Sequence, residues 1–183
     1  MKNIETIKKE HNQLVKAIKF LIDKVLDEKG DQKSGVRTGK PLVIHSLEPA
    51  FYLKNLGYNN EIVISTVLHD LLEDTDTSRD EIEKKFGKEI ADIVEVVSYD
   101  FGVNKNTDYK KNFDKMSDFE EALIVKAADI KQNAKYFKFA DRKEYDYLLG
   151  KWSYFLKFAH KISNEPVYKE LERDIEKIIE KGK

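Results

Sequence analysis

The chain contains no cysteine. That absence removes disulfides, thiolate nucleophiles and cysteine-type zinc sites together, and it fits a reducing compartment. Only three prolines and eight glycines occur in 183 residues, so little interrupts a helical chain. Neither sign of charge dominates: 33 Lys and Arg face 34 Asp and Glu, for a formal net charge of −1. Such a balance gives the whole molecule no attraction to nucleic acid. No apolar run is long enough to span a bilayer, and the first residues, MKNIETIKKEHNQ, lack the apolar segment of a signal peptide. The expectation is a cytoplasmic protein with no nucleic-acid or membrane partner and with oligomeric state left open.

What is present is helical patterning. Hydrophobic residues make up 40% and charged residues 37% of the chain, enough for a core and for well-solvated outer faces. Ile4, Ile7, Leu14, Val15, Ile18, Leu21, Ile22, Val25 and Leu26 recur at spacings of three and four, which predicts a helix ending before Gly30. The glycine-rich stretch GDQKSGVRTGKP reads as a loop. Helices are expected over Val43–Asn55 and Asn60–Glu73. Thr77 or Ser78 should cap the next one, with Glu81 placed for a capping box. KEIADIVEVVSYD is amphipathic, and Phe101 to Phe113 reads as irregular. A further helix is expected from Asp118 through EEALIVKAADIKQNAKYF. The last two should run over Arg142–Ser163 and Pro166–Ile179, Pro166 suiting a first helical turn. No repeat or linker divides the chain. The reading is an all-α helical bundle of one domain, residues 1–183, with helices over about 142–181 packing on a core.

Chemistry concentrates in VLHDLLEDTD, where one histidine and four carboxylates share ten residues. On a continuous helix, His69, Asp70, Glu73 and Asp74 fall within an arc of about 140°. Thr66 lies in the same arc, and Ile64, Val67, Leu68, Leu71 and Leu72 take the other side. A lone His-Asp pair is more commonly part of a solvated polar face. Here Asp70 and Asp74 are like charges at i, i+4, which cost a surface helix a few tenths of a kcal/mol. A bound cation would remove that repulsion.

A divalent ion needs more ligands than adjacent His69 and Asp70 supply. His45 opens a predicted helix after KPLVI, where its side chain can point towards a neighbour. Asp129 interrupts the apolar and small-residue run of ALIVKAADIKQN, an unfavourable place for an acid without a partner. A buried salt bridge with a lysine is the plainer account of Asp129. Trp152, Tyr145 and Tyr154, at helical spacing, read as core more readily than as a base-stacking surface. His11 and His160 read as surface or packing residues.

The order His45, His69-Asp70, Asp129 resembles the H…HD…D pattern of HD-domain metal-dependent phosphohydrolases. GVRTGKPLVIH, ISTVLHDLLEDTDTSRDEIEKKFGKEIADIVEVVS and LIVKAADIKQN resemble the hydrolase domain of RelA/SpoT-type enzymes and their small single-domain relatives, which hydrolyse (p)ppGpp. The resemblance covers roughly residues 37–133, the motif core. It implies an HD-domain bundle in which His45, His69, Asp70 and Asp129 bind one divalent metal, Mn²⁺. It implies that Glu73 and Asp74 activate water and move protons. Asn133 would approach the ribose and Arg37 the base of a nucleotide substrate. Lys126, one turn before Asp129, is a candidate for the leaving pyrophosphate, with Lys40, Lys131 and Arg142 behind it. The chain departs from the pattern in four places. IDKVLDEKG carries no histidine, Thr38 follows Arg37, the loop is about one residue shorter, and AKYF follows Asn133. These fall where base and phosphate would be read. Other nucleotides (ppApp, NADPH, a nucleoside monophosphate) and a nucleotide-binding module without turnover are the alternatives.

Overall fold

A computed structural model describes residues 3–27, 42–98, 109–135 and 142–181. Among them, every regular element is a helix. They are α1 (Ile4–Asp27), α2 (Leu42–Asn55), α3 (Asn60–Leu68), α4 (Leu71–Asp74), α5 (Arg79–Phe86), α6 (Lys88–Val97), α7 (Tyr109–Asp114), α8 (Glu120–Ala134), α9 (Arg142–Ile162) and α10 (Pro166–Lys181).

Two helices form the centre, and their composition explains why. In α3, NEIVISTVL, every residue but Glu61 is buried, and the helix packs against α1, α2, α6 and α8. In α8 the run Ala122–Ile130 is buried throughout, and this helix meets α2, α3, α6 and α10. A helix that is apolar on most sides, as α3 is, has to lie inside, and α8 lies inside while carrying Lys126 and Asp129 with it. The amphipathic helices cover these two. Leu14, Ala17 and Leu21 of α1, Val94 of α6 and Leu171 of α10 are the inward residues that do so. Residues 28–41, 99–108 and 136–141 lie outside the described residues, and with them the expected positions of Arg37 and Lys40 and the irregular reading of residues 101–108.

Boundaries follow local chemistry. The Asn59 side chain accepts from the Ile62 N–H at 2.8 Å and opens α3. Of the two expected caps for α5, Ser78 serves: its Oγ accepts from the Glu81 N–H at 3.2 Å. Gly87, at φ 96°, separates α5 from α6 in a conformation that L side chains rarely adopt. The stretch expected to be irregular up to Phe113 contains the short α7, and the helix expected from Asp118 begins at Glu120.

The larger correction concerns the helix expected over Asn60–Glu73. It breaks at His69-Asp70, and α4 restarts at Leu71. Asp70 has φ −92° and ψ −6°, in the sparsely populated region between helix and strand. Its carbonyl starts the new helix by accepting from the N–H groups of Glu73 (3.1 Å) and Asp74 (2.9 Å). The His69 carbonyl is met from outside by Ser98 Oγ of the α6 cap, at 3.3 Å. The single-helix wheel therefore does not describe how His69 and Asp70 stand to Glu73 and Asp74.

Candidate metal centre

Three segments of the fold bring the site together. His45 stands in the first turn of α2, His69 and Asp70 occupy the break between α3 and α4, and Asp129 lies in the middle of α8. All are buried or nearly so, with His69 only 1% exposed. His45 Nε2 lies 3.1 Å from Asp70 Oδ2 and 3.2 Å from Asp129 Oδ1. His69 Nε2 lies 3.1 Å from Asp70 Oδ1 and 3.7 Å from Asp129 Oδ1. One ligand atom each from His45, His69 and Asp70 falls within 4.8 Å of the others, a cluster of the size that holds a metal ion.

The tautomer of His69 is set locally. Its Nδ1 lies 2.8 Å from the Thr66 carbonyl, which can only accept, so Nδ1 carries the hydrogen. In the neutral ring the lone pair is then on Nε2, which faces the carboxylates. That buried nitrogen is close to acids yet has no hydrogen-bond partner of acceptable geometry. A buried polar atom without a partner is costly. Convergence without hydrogen-bond alignment suits a lone pair directed at a shared cation, and the set of two imidazoles with carboxylate oxygens is one that divalent first-row metals accept. The residues fit the ion.

Charge in the cluster is strongly coupled. Burial is the largest influence on His69 and lowers its pKa. The Asp70 charge and the contacts with Asp129 and Asp70 outweigh it, and the imidazole is raised to about 10. His45 is raised in the same way, with the contacts to Asp129 and Asp70 overcoming burial. Burial acts to raise Asp70, but the charge on His69 and the contacts with His45 drive it far below the ordinary carboxylate range. Asp129 is held well below that range against its burial, by the Lys126 charge first and then by His45 and His69. The carboxylates stay ionised, and protons on the imidazoles balance them where no metal does.

Around Asp129, α8 supplies two more groups named by the sequence. Lys126 Nζ lies 2.9 Å from Asp129 Oδ2, and both side chains are buried. Asn133 Nδ2 donates to Asp129 Oδ1 at 2.7 Å. Glu73 and Asp74 follow Asp70 in α4, half-buried. Other candidates lie elsewhere. Lys131 pairs with Asp174 and Glu170 of α10, and Arg142 pairs with Asp146 at the exposed start of α9. Trp152 is buried, Tyr145 and Tyr154 pack against the core, His11 is exposed, and the His160 ring rests on Tyr168.

Three site neighbours escaped the sequence reading: Ser98, Glu48 and Gln132. Ser98 touches the His69 carbonyl. Glu48, three residues after His45, accepts from Gln132, three residues after Asp129. For Glu48 and Gln132 the only signal was spacing, a polar side chain one helical turn beyond each of two candidate ligands; for Ser98, 29 residues from His69, there was none.

An HD-domain family model matches residues 25–145, and the chain belongs to the HD-domain family. Within it, the chain is similar to the guanosine-3′,5′-bis(diphosphate) 3′-pyrophosphohydrolase of Aquifex aeolicus (strain VF5). The two are 27% identical over 175 residues, covering 93% of this chain and 25% of the relative. The protein of the same description from Spiroplasma citri is 31% identical over 152 residues, 78% of this chain and 20% of the relative. The chain thus spans a quarter or less of these relatives, at 25% and 20% of their lengths. Among solved structures, a metazoan ortholog of SpoT described as hydrolysing ppGpp superposes with TM-score 0.75 at 17% identity, over 90% of this chain and 94% of that one. A protein of Listeria monocytogenes EGD-e gives TM-score 0.67 at 22% identity, over 77% and 97%. These two likenesses establish the fold. No helix among the described residues is long and apolar enough to cross a membrane.

Proposed function

We propose that this chain is a metal-dependent phosphohydrolase that removes pyrophosphate from the ribose 3′ position of (p)ppGpp. The buried convergence of His45, His69 and Asp70 beside Asp129 carries the reading. The similarity to relatives described as 3′-pyrophosphohydrolases supports the substrate class. His45, His69, Asp70 and Asp129 would hold one divalent ion, Mn²⁺ in this reading. When bound, it supplies positive charge to a phosphoryl oxygen and lowers the pKa of water at the site.

The chain's own groups do the rest. In the hydrolysis, the water oxygen bonds to the phosphorus attached to the ribose 3′-oxygen, and the bond between that phosphorus and the 3′-oxygen breaks. The water loses a proton and the 3′-oxygen gains one. Glu73 and Asp74, one turn beyond Asp70, are the acids assigned to accept and return it, acting as a coupled pair. The Lys126 ammonium, neutralising Asp129 Oδ2, adds positive charge for the pyrophosphate. Asn133, oriented by Asp129, is assigned to the ribose, and Arg37 to the base.

A screen of Mn²⁺-loaded protein against ppGpp, pppGpp, ppApp and NADPH tests this. The expected products are GDP from ppGpp and GTP from pppGpp, each with one pyrophosphate. Turnover of ppApp or NADPH with none of the guanosine compounds would overturn the substrate assignment. Absence of turnover by metal-loaded protein would overturn the enzyme.

A further inference from the structure

Helix α8 packs against α2, and both helices carry buried small and aliphatic side chains. Ala127 and Ala128 of α8 and Ala50 and Leu53 of α2 are all buried. Such burial excludes water but is non-directional, whereas a hydrogen bond across the pair fixes one relative placement. The site needs His45 Nε2 of α2 held 3.2 Å from Asp129 Oδ1 of α8. Polar contacts centred on Glu48 cross the same helix pair beside that point. Gln132, 2% exposed, donates its side-chain amide to Glu48 Oε2, and Lys135 Nζ reaches the same oxygen at 2.9 Å.

The spacing couples this contact to the site. Glu48 is three residues beyond His45 and Gln132 three beyond Asp129. Residues at i and i+3 are neighbours on one helix surface, about 5–6 Å apart. The bond therefore bridges α2 and α8 one turn from the place where the two ligands meet. It is also directional, because an ionised carboxylate only accepts and the amide must present its N–H. A shift of α8 against α2 breaks it and leaves a buried amide without its acceptor.

We propose that Glu48 and Gln132 are positioning residues, a clamp between α2 and α8 that sets the separation of His45 from Asp129 and so the affinity of the site for its divalent ion. This rests on the metal-site reading above. It assigns no contact with substrate to either residue.

The test is Mn²⁺ affinity by calorimetry, together with the visible spectrum of the Co²⁺-loaded protein, which reports ligand geometry without any turnover. Glu48→Ala removes the acceptor at a partly exposed position, and Gln132→Ala removes the donor without burying a charge. Each should weaken Mn²⁺ binding about 10–100-fold, the range for a residue that orients a metal ligand from behind, and should alter the Co²⁺ spectrum. The double variant E48Q/Q132E reverses donor and acceptor and keeps Lys135 beside the carboxylate. It should return both readouts close to wild type, and it carries the test should a single variant fail to fold. Single variants with lowered Tm but wild-type Mn²⁺ affinity and Co²⁺ spectrum would overturn the clamp while leaving the metal site standing. A double variant that folds yet binds Mn²⁺ as weakly as the singles would also overturn it. Wild-type protein that binds no divalent ion would overturn both readings.

Discussion

Arg79 on α5 and His69 at the end of α3 each stand among carboxylates. Arg79 joins Glu83, Asp92 and Glu95, with Nε 2.9 Å from Glu95 Oε2, and Lys88 adds a second cation at Asp92. His69 joins Asp70 and Asp129. The first group is partly exposed and ties α5 to α6. The second is buried where three segments of the fold meet. The chemical difference is larger still. A guanidinium keeps its proton at any ordinary pH, so its carboxylates are permanently occupied. An imidazole can release its proton and turn a lone pair to the same acids. Similar ingredients give a surface brace in one place and, in the other, a cluster that could hold a metal ion.

Removing a ligand should separate the two clusters most widely. His69→Ala should abolish metal binding and bring phosphoester hydrolysis to the level of chelated protein, with helical content kept. Metal analysis, phosphate release and circular dichroism measure this, and full activity in chelated wild-type protein would refute it. Next come the acids of α4, which follow Asp70 in the chain. Glu73→Gln and Asp74→Asn keep shape and remove charge. For at least one of them kcat should fall about a hundredfold or more with the metal still bound, the scale of a lost general base. Near wild-type kcat in both would remove α4 from the mechanism.

The pH response distinguishes a cluster held by protons from one held by metal. The His69 pKa is raised from 6.5 to about 10 in the metal-free protein. A raised folded pKa contributes stability that is fully present below the unfolded value and lost as pH rises through the folded one. Metal-free protein should therefore lose stability between about pH 6.5 and pH 10. Mn²⁺ has to displace those protons, so its affinity should rise with pH over the same window. Calorimetry in buffers of different ionisation enthalpy should detect proton release on binding, and its absence would mean that the imidazoles are already neutral.

The smallest effect belongs to the brace. Arg79→Ala should lower Tm by only a few degrees, because exposed ion pairs contribute little. Metal affinity and kcat should stay at wild type. A loss of metal on this substitution would mean that α5 and α6 support the site more directly than their contacts indicate.

Much of this was legible in the linear chain. The spacing of apolar residues placed the major helices within a few residues of their ends, because helical periodicity is a property of neighbours three and four apart. Ser78 was legible as a cap for the same reason. Asp129 stood out as an acid in an apolar run, and it is buried beside both histidines. The break at His69-Asp70 was not legible. It involves Ser98, 29 residues further on, and nothing in ISTVLHDLLED marks it. Lys131 was one of the basic residues named for the leaving pyrophosphate, yet α8 turns it towards Asp174 of α10.

By itself, the sequence determined what each turn of helix could do. It settled which residues carry lone pairs, which faces are apolar and which side chains can cap, because these depend on covalent chemistry and on contacts within four residues. Only the tertiary structure decided what those groups became. Glu48 and Gln132 are 84 residues apart and are joined by the meeting of α2 with α8. Asp70 and Asp129 remain ionised against burial with the help of His45, which reaches both from α2, and of His69, which reaches Asp129 from the end of α3. Electrostatic energies between buried groups rise as water is excluded, and which charges share a dry interior is a consequence of helix packing.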